Sequence, residues 1–360
     1  MTTVLVTGGA GFIGSNYVRH LLETEPGAKV VVIDKLTYAG NLANLRDLPS
    51  GQAGRLSFHK VDVADAPAVA EVFSRFQPRS VVHFAAESHV DRSIHEPQVF
   101  LKTNVVGTQV LLDACRESWK VSDGWQEGTV FLQVSTDEVY GTLGPEGRFT
   151  EDTPLAPRSP YSASKAAADM LVMAYHNTYG LPVAVTRCSN NYGPYQFPEK
   201  LIPLMIRNAL NHEPLPVYGD GRQVRDWLHV EDHCRALELV RRRARPGSVY
   251  NIGGGTEMEN IELVKLLVAK LREVVADTAV DEGLIRHVTD RPGHDRRYAI
   301  DASRIGDELG WRPQVAFADG LERTIRWYIE HTDWLESIIS GEYMDFYEKN
   351  YRDLAPGRAG

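Results

Sequence analysis

A hydroxyl and two adjacent acids follow an apolar run near the middle of the chain. The run Val130 to Val134 is followed by Ser135 and then by Thr136, Asp137 and Glu138, in the stretch VSTDEVYG that starts at Val134. Short polar residues often do no more than end a strand and begin a turn. Two carboxyl groups side by side can also serve as a general base and a general acid on one substrate. Successive strand residues point to opposite faces, so all three can face one substrate only if the chain leaves the strand there.

A tyrosine and a lysine four residues apart form a second candidate pair. Tyr161 and Lys165 lie in SPYSASKAAADML, where Ser159 and Pro160 are start signals for a helix of good helix formers. Residues at this spacing share one helix face. The ammonium could then help to ionise the phenol, whose pKa is usually about 10, and make it an acid and base. A surface tyrosine beside a solvated lysine is the plain alternative.

A glycine-rich turn near the N-terminus predicts a dinucleotide site. Gly8, Gly11 and Gly14 stand in VLVTGGAGFIGSNYV, between a predicted strand and a predicted helix. Glycine allows the tight turn and the close approach of backbone to a pyrophosphate at a helix N-terminus. Asp34 closes VVVID 20 residues after Gly14, the spacing expected for an acid on the adenosine ribose, which favours NAD over NADP. Lys35 beside it weakens that preference, and an ordinary turn remains the alternative.

The elements that must position these residues alternate through the first half of the chain. β-Branched runs and helical patterns follow one another as TVLVT, FIGSNYVRHLLET, KVVVID, LSFHKVD, AVAEVFSRF, SVVHFAA and TVFLQVS. Continuous apolar strands between helices are typical of a parallel sheet covered on both faces. The sequence therefore predicts an α/β fold with a doubly wound (Rossmann) parallel sheet.

A smaller mixed α/β C-terminal lobe is predicted from the second half. After PVAVTRCSN the chain becomes rich in Pro, Gly and Asn, SVYNIGGG returns to the sheet, and helical patterns cover residues 261–275 and 317–340. We expect residues 1–188 and 226–252 to form the dinucleotide-binding domain. Residues 189–225 and 253–360 would form the substrate-binding domain.

Composition excludes several classes of function. With 39 basic and 48 acidic residues the net charge is −9, which disfavours nucleic acid and anionic lipid as partners. The three widely spaced cysteines predict neither a disulfide framework nor a zinc site and fit a reducing cytoplasm. No secretion signal or membrane-spanning run is apparent. His83, His89 and His95 lack the spacing of a catalytic metal motif, so no metal is expected.

Several motifs together resemble a known superfamily. The glycine triplet, the Tyr-x-x-x-Lys pair and the polar strand end are similar to those of extended short-chain dehydrogenases/reductases. Within that superfamily, STDEVYG, AAESHVDRSI, YSASK, SNNYGPYQFPEKLIP and DRPGHDRRYAID resemble the dTDP-glucose 4,6-dehydratases, over essentially the whole chain. Related epimerases and decarboxylases usually lack the adjacent Asp and Glu. The segment between Gly141 and Tyr161 is shorter than in some members, which affects loop detail more than chemistry.

The resemblance implies a reaction that begins and ends with the same cofactor. A tightly bound NAD would take hydride from C4 of the glucosyl group and return it to C6, so it is regenerated in each turnover. Tyr161, assisted by Lys165, would take the O4 proton, with Thr136 bonding near O4. Glu138 would remove the C5 proton and Asp137 would protonate the departing C6 hydroxyl, so burial beside Glu138 should raise the pKa of Asp137. The product would be dTDP-4-keto-6-deoxyglucose.

The resemblance also implies two sets of binding residues. Cofactor contacts are expected from Gly8, Gly11, Phe12, Ile13, Gly14, Asp34, Lys35, Thr37, Asp62, Val63, Ala85, Ala86, Ser88, Thr103, Tyr161, Lys165 and Asn190. Substrate contacts are expected from Ser88, Thr136, Glu138, Asn190, Lys200, Leu201, Pro216, Tyr218, Arg225, Asn260, Arg291, His294 and Tyr298. Arg225 could fork onto pyrophosphate oxygens and Tyr218 could stack on the base. The motifs leave thymine or uracil open.

Rival functions and the oligomeric state remain open from sequence. The alternatives are another NAD-dependent nucleotide-sugar 4-epimerase or dehydratase, and a non-catalytic NAD-sensing protein. The intact acid and Tyr/Lys pairs disfavour the latter. Residues 93–118 and 161–179 resemble helices that pair as a four-helix bundle in homodimers of this superfamily, although their apolar stripes fit equally against their own sheet.

Overall fold

A seven-stranded parallel sheet is the centre of the computed structural model, which describes residues 2–48, 54–290 and 293–338. The strands of the described residues are, in chain order, β1 (Thr2–Thr7), β2 (Ala28–Asp34), β3 (Leu56–Lys60), β4 (Ser80–His83), β5 (Lys120–Val121), β6 (Gly124–Trp125), β7 (Val130–Thr136), β8 (Val183–Cys188), β9 (Asn190–Tyr192), β10 (Leu215–Tyr218), β11 (Val224–His229), β12 (Ser248–Ile252), β13 (Glu257–Glu259) and β14 (Ile285–Val288).

Helices connect these strands. The α-helices are α1 (Phe12–Thr24), α2 (Ala66–Phe76), α3 (Val90–His95), α4 (Pro97–Phe100), α5 (Gly107–Trp119), α6 (Pro160–Tyr179), α7 (Leu201–Leu210), α8 (Val230–Arg243), α9 (Asn260–Val275), α10 (Ser303–Leu309), α11 (Phe317–Glu330) and α12 (Thr332–Ile338). Short 3₁₀ turns cover Leu42–Leu45, Asp137–Tyr140 and Glu282–Leu284, and a π-helical turn covers Leu101–Val106.

The strand order of the main sheet creates a switch point. The order is β12-β8-β7-β4-β1-β2-β3, and all neighbours are parallel. The chain runs outward from β1 to β3 and then crosses to β4 on the other side of β1. Thr7 pairs with His83, so the two strands end side by side. Ligands bind at such a reversal in open α/β sheets, and the predicted doubly wound sheet is confirmed.

The apolar strands bury both of their faces. Val4 and Val6 of β1 belong to a core that includes residues of α1 and α8, whereas Leu5 belongs to a second core that includes residues of α2, α5 and α6. All three side chains have no exposed surface. Helices on each face explain why the strands show continuous apolar runs instead of alternating with polar residues.

A smaller lobe carries the remaining sheets. The strands β13, β11 and β9 form a mixed three-stranded sheet, and β10 pairs with β14 in parallel. Helices α7, α9, α11 and α12 contribute to a separate apolar core beside them. The predicted mixed α/β lobe is confirmed. The predicted domain boundary between residues 225 and 226 falls inside β11, and the exact division stays a prediction.

Two helical segments are broken where the sequence pattern is continuous. The prediction of one helix over residues 317–340 was wrong, because α11 ends at Glu330 and His331 leaves the helical conformation (φ −123°, ψ 41°) before α12 begins. Residues 339 and 340 lie outside the described residues. In residues 93–118, Glu96 (φ −131°, ψ 61°) interrupts the helix before Pro97, since the residue before a proline avoids the α conformation.

The cysteines, the possible metal ligands and the lengths of the helices bear on the expectations from composition. Cys115, Cys188 and Cys234 are free thiols, and all three are buried. The described residues contain no group of three or more His, Cys, Asp and Glu side chains that could hold a metal ion. Over the same part of the chain, no helix is long and apolar enough to cross a bilayer.

Candidate active site

A cleft opens at the carboxyl ends of the parallel strands. It is lined by the ends of β1, β2, β4, β7 and β8 and by residues of α6 and of the smaller lobe. Every residue predicted above to contact the cofactor lines this cleft. The cleft therefore brings the glycine turn, the acid pair and the Tyr/Lys pair together.

The glycine turn is shaped by backbone contacts that exclude side chains. Gly8 has φ +67°, and a Cβ there would stand 2.6 Å from the amide nitrogen of Ala85. A Cβ on Gly14 would stand 2.2 Å from the carbonyl oxygen of Gly8. Helix α1 starts at Phe12, and its N-cap Gly11 provides no side-chain cap. Its first N–H groups are thus available to an anion, which fits a pyrophosphate.

Asp34 is held at the end of β2 with both carboxylate oxygens oriented. It accepts hydrogen bonds from the backbone N–H groups of Ala10 (3.0 Å) and Leu36 (2.8 Å). Burial raises its pKa, while these two donors act to lower it. Lys35 forms a 2.7 Å ion pair with Asp62. The neighbouring cation is thus neutralised, and the acid keeps the position that suits ribose hydroxyls.

The acid pair lies in a turn and no longer in the strand. Strand β7 ends at Thr136, whose hydroxyl accepts a 3.3 Å bond from the N–H of Glu138. The 3₁₀ turn that follows covers Asp137–Tyr140 and is capped by Gly141, which has φ +90°. A Cβ on Gly141 would lie 2.5 Å from the carbonyl oxygen of Ala156. Thr136, Asp137 and Glu138 consequently all line the cleft, and strand alternation does not separate them.

The surroundings of Asp137 favour its protonated form. The residue is 2% exposed. Burial, followed by the negative charges of Glu138 and Asp226, raises the pKa of its carboxyl group well above the usual value. Its Oδ2 has no hydrogen-bond partner among the described residues. The direction and cause agree with the prediction that burial beside Glu138 raises this pKa, and they favour the protonated carboxyl that a general acid needs.

The tyrosine and lysine are anchored at the start of α6. A capping box between Ser159 and Ser162 fixes the first turn of the helix. Lys165 donates a 2.8 Å hydrogen bond from Nζ to the carbonyl oxygen of Val134. Burial, followed by the charge of Glu138, raises the pKa of Tyr161 well above its usual value. The phenol therefore keeps its proton in the protein alone.

The predicted substrate residues fall into two groups. Those that line the cleft are Ser88, Thr136, Glu138, Asn190 and Lys200. Those that the structure places outside the lining residues are Leu201 at the start of α7, Pro216 and Tyr218 on β10, Arg225 on β11, Asn260 at the start of α9, His294 and Tyr298. Arg291 lies outside the described residues.

Arg225 is buried next to the acid pair. Its guanidinium donates to the carbonyl oxygens of Val224 (2.8 Å) and Asp295 (3.0 Å) and lies 4.3 Å from the ring centroid of Tyr298. Its positive charge acts to lower the pKa of Asp137, against the larger effect of burial. Contacts of Arg225 with a pyrophosphate stay a prediction.

Several lining residues were not predicted from the sequence. They are Ala39, Gly40, Val61, Phe84, Glu87, Val134, Ser135, Cys188, Ser189, Asn191, Gln196, Phe197 and Glu199. Glu199 stands out because burial raises its pKa to about 7. Its carboxylate lies 3.6 Å from Nε2 of His89. The sequence carried a signal for it, since Glu199 precedes the predicted substrate residue Lys200 in FPEK.

A doubly wound sheet with this cleft at its switch point is the architecture of a dinucleotide-dependent enzyme. The family model described as GDP-mannose 4,6 dehydratase matches residues 5–324, and the chain belongs to this family.

Individual relatives cover nearly the whole chain. The dTDP-glucose 4,6-dehydratase of Xanthomonas campestris pv. campestris (strain B100) is 56% identical over 346 residues, which are 95% of this chain and 97% of the relative. The dTDP-glucose 4,6-dehydratase 1 of Escherichia coli (strain K12) is 51% identical over 358 residues, covering 97% and 98% of the two chains. A similar solved structure is the crystal structure of a dTDP-glucose 4,6-dehydratase from Streptomyces venezuelae with NAD and dTDP bound. Its TM-score is 0.86 and its sequence identity is 50%, and the match covers 94% of this chain and 100% of that chain.

Proposed function

We infer that the chain is a dTDP-glucose 4,6-dehydratase, a hydro-lyase that uses NAD and forms dTDP-4-keto-6-deoxyglucose. The relatives of that name share about half of its residues over nearly their full length. The observation that carries the inference is the turn after β7, which brings a buried Asp137, whose pKa is raised, and its neighbour Glu138 into the cleft beside Tyr161. A base and an acid at adjacent positions suit the removal of water from C5 and C6.

Each side chain has one task in the proposed reaction. NAD, when bound, supplies the acceptor and later the donor of hydride. Tyr161 accepts the proton of O4, and Thr136 hydrogen-bonds near the same oxygen. Glu138 removes the proton from C5. Asp137 delivers its proton to the C6 hydroxyl, which departs as water. Hydride would then return to C6, and the proton held by Glu138 would return to C5, which completes the 6-deoxy product.

The residues around the glycine turn fit NAD. Backbone N–H groups at the start of α1 suit the pyrophosphate, and a Cβ on Gly14 would close the turn. The carboxylate of Asp34 suits unmodified ribose hydroxyls and would repel a 2′-phosphate. We propose that the predicted cofactor residues bind NAD tightly and that it is regenerated in each turnover.

A 4-epimerase would use the same sheet and the same Tyr161 and Lys165. It would not need an acid that keeps its proton next to a base in the cleft, and the raised pKa of Asp137 therefore favours dehydration. A non-catalytic NAD-sensing protein would need none of these four side chains. The dehydratase function is the one that gives each of them a role.

We propose that the nucleotide portion of the substrate is held by the smaller lobe. Lys200 at the cleft edge is a cation that can contact the pyrophosphate. Of the other predicted substrate residues, Tyr218 and His294 form an edge-to-face ring pair with centroids 6.0 Å apart. This ring pair would bind the base, and Arg225 would act closer to the acid pair.

A homodimer in the cytoplasm is also proposed. The two predicted bundle segments carry exposed apolar side chains, namely Ile94, Val99, Leu101, Val106, Met170 and Tyr179. Met170 is 64% exposed and Leu101 is 52% exposed. Pairing these faces across a two-fold axis as a four-helix bundle would bury them. The free cysteines fit a reducing compartment.

Mass spectrometry of the reaction mixture tests the proposed function. The purified chain is incubated with dTDP-glucose without added cofactor, in parallel with UDP-glucose and with the Glu138→Gln variant. We expect dTDP-glucose alone to lose one water, and the variant to leave it intact. An unchanged mass of both nucleotide sugars, even with NAD supplied, would contradict the dehydratase function.

A further inference from the structure

The two pairs of reactive side chains are carried by different elements. Tyr161 and Lys165 lie on α6, whereas Asp137 and Glu138 lie in the 3₁₀ turn after β7. The proposed reaction needs both pairs around one sugar, and misplacement by about 1 Å can cost about a hundredfold in rate. Something must therefore fix the turn relative to the helix.

One buried guanidinium contacts both elements. Arg187 of β8 is 6% exposed. Its Nε lies 3.0 Å from Oδ2 of Asp169, one helical turn after Lys165 on α6. The Nη1 of Arg187 donates a 3.0 Å hydrogen bond to the phenol oxygen of Tyr140, the last residue of the 3₁₀ turn. A single side chain thus connects the helix of one reactive pair to the turn of the other.

The far side of Tyr140 is anchored as well. Its hydroxyl donates a 2.8 Å bond to Oδ1 of Asn251 on β12, and the Nδ2 of Asn251 donates to the carbonyl oxygen of Phe149 at 3.0 Å. The ring of Tyr140 stacks on that of Phe149, with centroids 5.0 Å apart. Asn251 is completely buried. The network has a defined donor and acceptor at each of these contacts, so it favours one arrangement of the turn.

The acid of this network lies one helical turn after the catalytic lysine on α6. Burial lowers the pKa of Lys165, and the charge of Asp169 acts to raise it. The other titratable groups near the ammonium are Tyr161, Cys188 and His83; burial raises the pKa of Cys188 to about 12 and lowers that of His83 to about 3. Both are therefore neutral at working pH. Burial raises the pKa of Asp169 as well, whereas the charges of Arg187 and Lys165 act to lower it, so the ion pair with Arg187 favours its carboxylate form.

A buried ion pair adds little to the free energy of unfolding, because removing both charges from water offsets their attraction. Apolar side chains of similar volume often give the same stability. The position of this pair has a different consequence, because it links two sets of reactive groups. We infer that Arg187, Asp169 and Tyr140 form a positioning unit, in which Asp169 holds the guanidinium of Arg187 on α6 and Arg187 sets the catalytic turn against that helix. This inference rests on the proposed dehydratase function and adds residues to it that do not touch the substrate.

Two single variants test the unit in separate steps. Tyr140→Phe keeps the ring on Phe149 but loses both hydrogen bonds of the hydroxyl, so in single-turnover kinetics we expect elimination to slow about tenfold or more with little change in C4 oxidation. Asp169→Asn should slow C4 oxidation instead. It should also narrow the pH range of activity. Without the charge of Asp169, Lys165 loses its proton at a lower pH, which lowers the upper limit of the range. The phenolate of Tyr161 is then stabilised less, which raises the lower limit. Tyr250→Phe is the matched control. It removes a phenol hydroxyl from β12, the strand of Asn251, but that hydroxyl donates a 2.8 Å hydrogen bond to Glu308 and is not part of the unit.

A paired variant separates positioning from folding. If Asp169→Asn leaves an unfolded protein, because the charge of Arg187 is then unpaired, Asp169→Asn combined with Arg187→Gln removes both charges. We expect this pair to fold with both steps still slow. Folded variants with rates within about twofold of the unaltered chain and an unchanged pH profile would overturn the inference, as would recovery of both steps in the pair. An unaltered chain that fails to dehydrate dTDP-glucose would instead contradict the proposed function itself.

Discussion

Lys165 is bonded to the strand that carries the acid pair. Its Nζ donates a 2.8 Å hydrogen bond to the carbonyl oxygen of Val134, two residues before Thr136 on β7. The lysine thus reaches from α6 to the sheet beneath the cleft while sharing a helix face with Tyr161. Because burial raises the pKa of Tyr161, the phenol depends on a nearby positive charge to give up its proton.

Lys165→Met should therefore stop the first step. The side chain has a similar length, but it brings no charge and leaves the carbonyl of Val134 without this donor. We expect the rate of C4 oxidation to fall by a factor of about 10² to 10⁴, the range typical of general acid–base catalysis. Single-turnover absorbance of reduced nicotinamide measures this rate. A rate within a few-fold of that of the unaltered chain would show that the ammonium plays no part.

Asp137→Asn should separate oxidation from elimination. The amide keeps the shape of the protonated carboxyl but has no proton to give to the leaving hydroxyl. We expect C4 oxidation to be retained and loss of water to slow by a factor of about 10² or more. Rapid quenching followed by mass spectrometry would detect the accumulated 4-keto sugar that still contains its C6 hydroxyl. Equal losses in both steps would count against Asp137 as the acid.

The same substitution should change the pH dependence of stability. Below about pH 4, the usual pKa of an aspartic acid, Asp137 is protonated in both the folded and the unfolded state. Above it the unfolded state ionises while the folded state, with its raised pKa, keeps the proton. The unaltered protein therefore loses about 1.4 kcal/mol per pH unit at this position until its folded pKa is passed.

Thermal unfolding at a series of pH values measures this difference. The melting temperature of Asp137→Asn should rise relative to that of the unaltered chain as the pH increases above about 4. In a Glu138→Gln background the gap should shrink, because one charge that raises the pKa of Asp137 is gone. A gap that does not vary with pH would show that Asp137 ionises normally in the folded protein.

Gly14→Ala should abolish NAD binding. The new Cβ would stand 2.2 Å from the carbonyl oxygen of Gly8, so the turn that presents the N–H groups of α1 must move. Gly27→Ala is a matched control, because a Cβ on Gly27 meets nothing within 4 Å. Native mass spectrometry should find NAD on the control but not on Gly14→Ala. Equal occupancy would place the pyrophosphate elsewhere.

Met170→Glu should separate the proposed homodimer. This side chain lies on the outer face of α6 and is 64% exposed, so the substitution costs the monomer little but places a charge in the bundle interface. Leu42→Glu changes a side chain that is 41% exposed outside both bundle segments and serves as the control. In analytical ultracentrifugation, Met170→Glu should sediment as a monomer, whereas Leu42→Glu should sediment as a dimer. A dimer unaffected by this charge would assign another surface to the interface.

Local spacing predicted the sheet, the glycine turn, Asp34 and the Tyr/Lys pair, whereas the resemblance to a known family supplied most of the other predicted cleft residues. Glycines at fixed intervals and an acid at a strand end are signals within one segment, and such residues line the cleft as a group. Arg187 gave no such signal, because its importance comes from Asp169 and Tyr140, which lie 18 and 47 residues away in the chain. The break of the last helices at His331 was also hidden, since the apolar pattern continues through it.

The position of β12 has a consequence for how the protein is made. This strand forms one edge of the sheet beside β8, yet it is not synthesised until residues 248–252. Until then the nascent chain presents β8 as an open row of unpaired backbone donors and acceptors, a template for pairing with other chains. A chain that ends before Ser248 would therefore expose the edge of β8, and it would also lack Asn251, the anchor of Tyr140.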